Sequence, residues 1–162
     1  KLRRVTVHSA VVQGIHVIEY CIEHGCYVQA AVLVRQELEA VEGLRGTRQD
    51  RQTDGATPRL KALRHLGRYY SQLTGIAHLS QHDLLSHIVS ESIGNLDHSF
   101  NASFARTLFG LHLVALVGVA MDMAELRPAG PSDLFSDEED WWLKAVCGVL
   151  VEEGLMQLQS TT

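Results

Sequence analysis

Leu108-Phe109-Gly110-Leu111-His112-Leu113-Val114-Ala115-Leu116-Val117-Gly118-Val119-Ala120-Met121 is the stretch on which the fold turns, because His112 is its only strongly polar side chain in fourteen residues. The run falls short of the roughly 20 apolar residues that a bilayer-spanning helix needs. It is expected instead to form the middle of a buried central helix from about Ala102 to Leu126. Gly110, Val114 and Gly118 recur every four residues, a strip small enough to let another helix approach closely.

Outward from this helix the period stays helical. No long stretch alternates apolar and polar residues, and no Asn-Gly or Asp-Gly hairpin signal occurs. Val11, Ile15, Ile18 and Ile22 line one face of a first helix from near Val5 to His24, with Gly25 as its stop. A second helix follows almost without a loop, about Cys26 to Leu44, so the two are expected to pack as an antiparallel pair. The polar residues 43–57 predict a mobile loop. Thr57 and Pro58 then read as N-cap and first position of a third helix reaching about Thr74, with a stop or kink at Gly75. A short fourth helix is expected from Ser80 to about Ile93. Ser136-Asp137-Glu138-Glu139 has capping-box spacing and opens a last helix to about Leu158. The expected fold class is all-α, a single-domain helical bundle of about five to six helices spanning residues 1–162.

A length of 162 residues with 46% hydrophobic content and three prolines suits one domain with a sizeable core. With 20% charged residues, a charge-rich disordered chain is excluded. The net charge of −5 argues against attraction of nucleic acid or anionic lipid to the whole surface. That mean conceals a split: residues 1–72 hold 11 Lys and Arg against 7 Asp and Glu, whereas residues 73–162 hold 3 against 12. Such polarity favours contacts between subunits or a local basic patch. Cys21, Cys26 and Cys147 show no paired metal-ligand spacing and no basic-then-apolar leader opens the sequence, so a reduced, cytoplasmic setting is expected.

The second helix carries Arg35 on a face with Val28, Ala31, Val32 and Leu38, where a guanidinium needs a partner. Glu39, four residues on, can close on it. On the third helix Leu63, Leu66, Tyr70, Leu73 and Thr74 line the core side, with His78 just past Gly75. Arg35, Glu39, Tyr70, Thr74 and His78 are therefore expected to meet in a polar network that fixes helix register, or in a ligand site built on it. Two helix faces could meet around a metal. His78 and His82 stand four apart, but Asp83 and His87 point away from their edge; His16, Glu19, Glu23 and His24 line one face of the first helix, but opposite its apolar side. No metal site is expected from either. P-loop, G-x-S-x-G, G-x-G-x-x-G and C-x2-C motifs are absent, and no cofactor is implied. Arg45, Arg48 and Arg51 begin a basic segment that runs to Arg68 and offers RNA a local foothold; a solvated basic loop is the plainer account.

The run Ala31-Val32-Leu33-Val34-Arg35-Gln36-Glu37-Leu38-Glu39, followed by Tyr70-Ser71-Gln72-Leu73-Thr74-Gly75-Ile76-Ala77-His78, resembles the A-x3-R-x3-E and Y-x2-L-[ST]-x3-H pattern of uncharacterised bacterial all-helical proteins related to the HEPN superfamily. The resemblance implies a compact helical bundle, often dimeric. Some such proteins are metal-independent RNases of toxin–antitoxin or phage-defence systems, and others only bind. The RNases carry an Arg-x4–6-His motif near the start of a late helix, which Arg106 through His112 matches in spacing and place. The resemblance would make His112 a general acid or base on a ribose 2′-hydroxyl and Arg106 the group that stabilises phosphate charge. Position 107 is Thr, where active members more often carry Asn, Asp or His. The structural alternative is a core His112 hydrogen-bonded to a neighbour, with Arg106 at a solvated helix start.

Trp141 and Trp142 are adjacent on the last helix, about 100° apart, so one ring is expected in the core and the other towards the edge of the buried face. A second subunit would cover the outer ring, giving a homodimer. The expected function is a HEPN-like interaction or regulatory module of bacterial stress or phage defence, with an antitoxin-like protein or RNA as further partner and no membrane. A metal-independent RNase and a metal-binding helical-bundle enzyme are the alternatives.

Overall fold

The computed structural model describes residues 2–48, 63–80, 83, 100–125 and 135–157. Among these the chain is all-α: α1 (Leu2–Glu23), α2 (Tyr27–Arg48), α3 (Gly67–Ala77) behind a 3-10 turn at Arg64–Leu66, α4 (Ala102–Glu125) and α5 (Asp137–Glu152). The spine is α2 against α4. Ala30, Val34, Leu38 and Val41 of α2 and Leu108, Leu111, Val114 and Ala115 of α4 are all but removed from water, and burial of that kind, at roughly 25 cal/mol per Å², drives the bundle together. α1 packs on both, α3 lies on α2, and the main neighbour of α5 is α4. Among the described residues two helices, Arg4–Glu23 and α4, are long and apolar enough by length and composition to cross a membrane. In α4 56% of that window is buried, against 22% in α1. The core therefore accounts for the apolarity of α4, whereas α1 leaves Val5, Val12, Val17 and Tyr20 more than half exposed.

The helix ends follow local rules. At the end of α1 the Cys26 N–H bonds the Cys21 carbonyl at 2.8 Å and the Gly25 N–H the Ile22 carbonyl at 3.3 Å, with Gly25 at φ +72°. That is a Schellman turn closed by its glycine. α2 begins one residue later and runs through Arg48, so residues 43–48, expected in a loop, are helical. Gly43 and Leu44 are buried there, because the apolar strip of α2 continues past Val41. The rest of that loop, the Thr57–Pro58 helix start and most of the expected fourth helix lie outside the described residues. α3 does not stop at Gly75 but two residues later, where Leu79 takes φ +51°.

In α5 the capping box forms: the Glu139 N–H donates to Ser136 Oγ at 3.3 Å, and the Ser136 N–H donates to Glu139 Oε2 at 2.8 Å. The backbone hydrogen bond of Ser136 holds the Glu139 carboxyl below its usual range. The helix ends at Glu152 rather than near Leu158, since Gly154 at φ +70° turns the chain so that Leu155 is buried. Leu143, Val146, Cys147 and Leu150 set the inner line of α5. Trp142 consequently stands about 90° from that line and Trp141 nearly opposite it. Both rings are more than half exposed, in place of the expected one in the core.

The small-residue strip of α4 works at one end of the spine. A Cβ on Gly118 would sit 2.7 Å from Val41 Cγ1, a stiff side chain within α2, whereas one on Gly110 would meet only the flexible tip of Leu155. Alanine is favoured over glycine in a helix by about 1 kcal/mol. Overpacking costs roughly 1–3 kcal/mol. Gly118→Ala is therefore expected to destabilise by up to about 2 kcal/mol, and Gly110→Ala to be neutral or slightly stabilising. Urea unfolding of both variants checks this, and equal midpoints would contradict the close approach at Gly118.

Candidate functional site

Two of the polar groupings are built on α2. Arg35 and Glu39 share its α3-facing edge. The Arg35 Nε–H donates to Glu39 Oε1 at 2.9 Å, and the Tyr70 hydroxyl of α3 donates to the same oxygen at 2.6 Å. The guanidinium carbon lies 5.8 Å from the Tyr70 ring centre, within cation–π range. Burial first, and then the hydrogen bond to Glu39, which needs the phenolic proton, push the Tyr70 hydroxyl above its usual pKa. The phenol is thus a donor and not a base. Thr74 turns its Oγ–H to the Tyr70 carbonyl of its own helix at 2.9 Å, and His78 sits exposed at the end of α3. Three of the five expected members meet. With Arg35 and Glu39 side chains 22% and 17% exposed, Arg35→Ala is expected to cost about 2 kcal/mol and Tyr70→Phe about 1. Unchanged urea midpoints would remove any stabilising role.

A second polar pair is sealed in the spine. His112 of α4 is fully buried, and its Nδ1 lies 2.6 Å from Glu37 Oε2 of α2. Among the described residues Glu37 Oε1 and His112 Nε2 have no hydrogen-bond partner. Burial pushes the Glu37 carboxyl above its usual range, against the opposing pull of His112. Arg106, six residues before His112, is largely exposed and forms an ion pair with Glu153. The two residues of the expected Arg-x5-His site therefore occupy different environments, one in solvent and one in the core.

The third grouping was not anticipated. Asp122, the acid that ends the apolar run of α4, is buried, and Arg4 of α1 grips both its oxygens: Nη2 to Oδ1 at 2.7 Å and Nε to Oδ2 at 3.1 Å. His8 Nε2 lies 2.9 Å from the same Oδ2. Asp122 also borders a cavity of about 390 Å³ shared with Arg45, His65, Glu125 and apolar side chains including Val41, Val117 and Leu155. Arg45 is half-buried at this cavity rather than in a free basic loop; the Arg48 side chain and Arg51 lie outside the described residues.

The signals for these missed residues were in the sequence. Glu37 falls within the buried strip of Ala30, Val34 and Val41, and Arg4 and His8 lie four apart on the inward side of α1. Among the described residues no three metal-ligating side chains converge. His16 is exposed 3.5 Å from Glu19, His24 stacks on Tyr20, and His82 and His87 lie outside the described residues. No family model, curated protein or solved structure matches this chain.

Proposed function

We propose that this chain is a HEPN-like helical interaction and regulatory module of bacterial stress or phage defence, working as a homodimer through α5. The observation that carries the reading is the pair of neighbouring indoles. Trp141 and Trp142 are 59% and 56% exposed, with ring centres 4.7 Å apart. Trp142 also borders an apolar hollow of about 330 Å³ that Leu113, Leu116, Phe135 and Val146 help to line. Exposed aromatic surface of this kind is typical of interface anchors. A second copy fits it by charge, since the first turn of α5 carries four consecutive acids and the exposed Arg64 and Arg68 lie on the basic half of the chain. A two-fold axis would use that pairing twice.

The metal-independent RNase reading draws less support, because the His112 imidazole is buried on Glu37 and offers no surface to a ribose hydroxyl. Light scattering is expected to give a mass near twice 17.9 kDa. Trp142→Ser is expected to weaken the dimer at least about tenfold, as for a hot-spot aromatic. A monomer at micromolar concentration overturns the dimer, and RNA cleavage in EDTA by the folded chain overturns the binding-only role.

A further inference from the structure

We propose that Cys21 and Cys26 form a reversible redox site at the α1–α2 turn, Cys26 being the thiol that meets a peroxide oxidant and Cys21 the thiol that resolves it into a disulfide. The placement comes from the backbone. In a Schellman turn the residue after the glycine and the residue five before it in sequence are joined by a hydrogen bond, and a contact between their side chains frequently accompanies it. Here those two residues are both cysteine, joined at 2.8 Å from the Cys26 nitrogen to the Cys21 carbonyl oxygen. The Cys26 thiol lies 4.0 Å from the His24 carbonyl within the same turn. Residues bridged by one such bond have Cα atoms about 5–6 Å apart, inside the roughly 4.4–6.8 Å that disulfides span. The turn is held from both sides, by α1 and by α2, which begins at Tyr27.

The two thiols differ in access. Cys21 is 9% exposed, whereas Cys26 is only half-buried. Burial, and then the charge of the neighbouring Cys26, push the Cys21 thiol upward, so Cys21 keeps its proton until its partner has reacted. In the first step the Cys26 thiolate attacks one peroxide oxygen. The O–O bond breaks, hydroxide leaves and is protonated to water, and Cys26 becomes a sulfenic acid. Cys21, losing its proton, then attacks that sulfur; the S–O bond breaks and a second water forms. Two thiols give up two electrons and two protons, and the peroxide is reduced to two waters. A ring of six residues removes little unfolded-state entropy, so the bond serves as a reversible modification, undone by a dithiol, and not as a staple.

The test uses the reduced full chain and hydrogen peroxide, followed by alkylation and peptide mass analysis. A peptide holding Cys21 and Cys26 that has lost two hydrogens and takes no alkyl group is expected, while Cys147 on α5 stays alkylatable. The disulfide should form at least about tenfold faster in the native chain than in urea, where the turn no longer holds the sulfurs together. Cys21→Ser should leave Cys26 trapped as the sulfenic acid by a dione reagent. Cys26→Ser, altering the more exposed position, should leave Cys21 unreacted at the same dose. Equal rates in native and urea-unfolded chain, or oxidation of Cys147 ahead of the pair, overturn the proposal.

Discussion

Asp122→Ala is expected to produce one of the two largest losses of stability in this protein, on the order of 3–5 kcal/mol, because it strips a buried two-pronged partner from Arg4 and the carboxylate from His8 together. The cost arises less from the lost attraction than from leaving a guanidinium, with 16% of its side chain exposed, without its counter-charge. Arg4→Ala should cost less, since His8 still holds the acid. Amide exchange along the first turns of α1 should rise in Asp122→Ala before the bundle unfolds, because this clamp ties the start of α1 to the end of α4. A urea midpoint within error of the parent protein would show that the clamp does not hold.

The Glu37–His112 pair should give the second large effect, and one that depends on pH. Removing one partner, as in His112→Ala, leaves a carboxyl in the core and is expected to cost about 3–5 kcal/mol. Replacing both residues with apolar side chains of similar volume should cost far less, because one buried atom of each already has no hydrogen-bond partner among the described residues. The carboxyl of Glu37 titrates higher in the folded chain than in the unfolded one. The folded state therefore binds more protons between those two values. The contribution of Glu37 to stability is fully present below the unfolded value and is lost as pH rises through the folded one. Urea unfolding across pH 4 to 8 should show that fall in the parent and not in Glu37→Gln, so the difference between the two should change with pH. Parallel curves for the two proteins would refute the shift.

The limits of sequence reading are clearest at single residues. Ser136 and Glu139 were recognisable as a capping box because both partners lie within one turn. Gly25 was recognisable as a stop for the same reason. Arg35 was legible too: a cation on an apolar face with an acid four residues on predicts its own partner. Only the packing of α3 on α2 set Tyr70 on that acid, and the same packing left Thr74 on its own backbone and His78 in solvent.

What the sequence determined by itself is the all-α class, the central helix around Leu108–Met121, and the caps and pairs closed within a turn or two, since these depend on spacing along one helix. Pairs distant in sequence, Asp122 with Arg4, His112 with Glu37 and Gly118 with Val41, were decided by tertiary structure alone. A helical period fixes which face a residue shares but not how far the helix is turned towards its neighbours. The same rotation put both indoles of α5 outside and His112 inside, because the inner line of each helix goes to whichever face buries the most apolar surface against the spine.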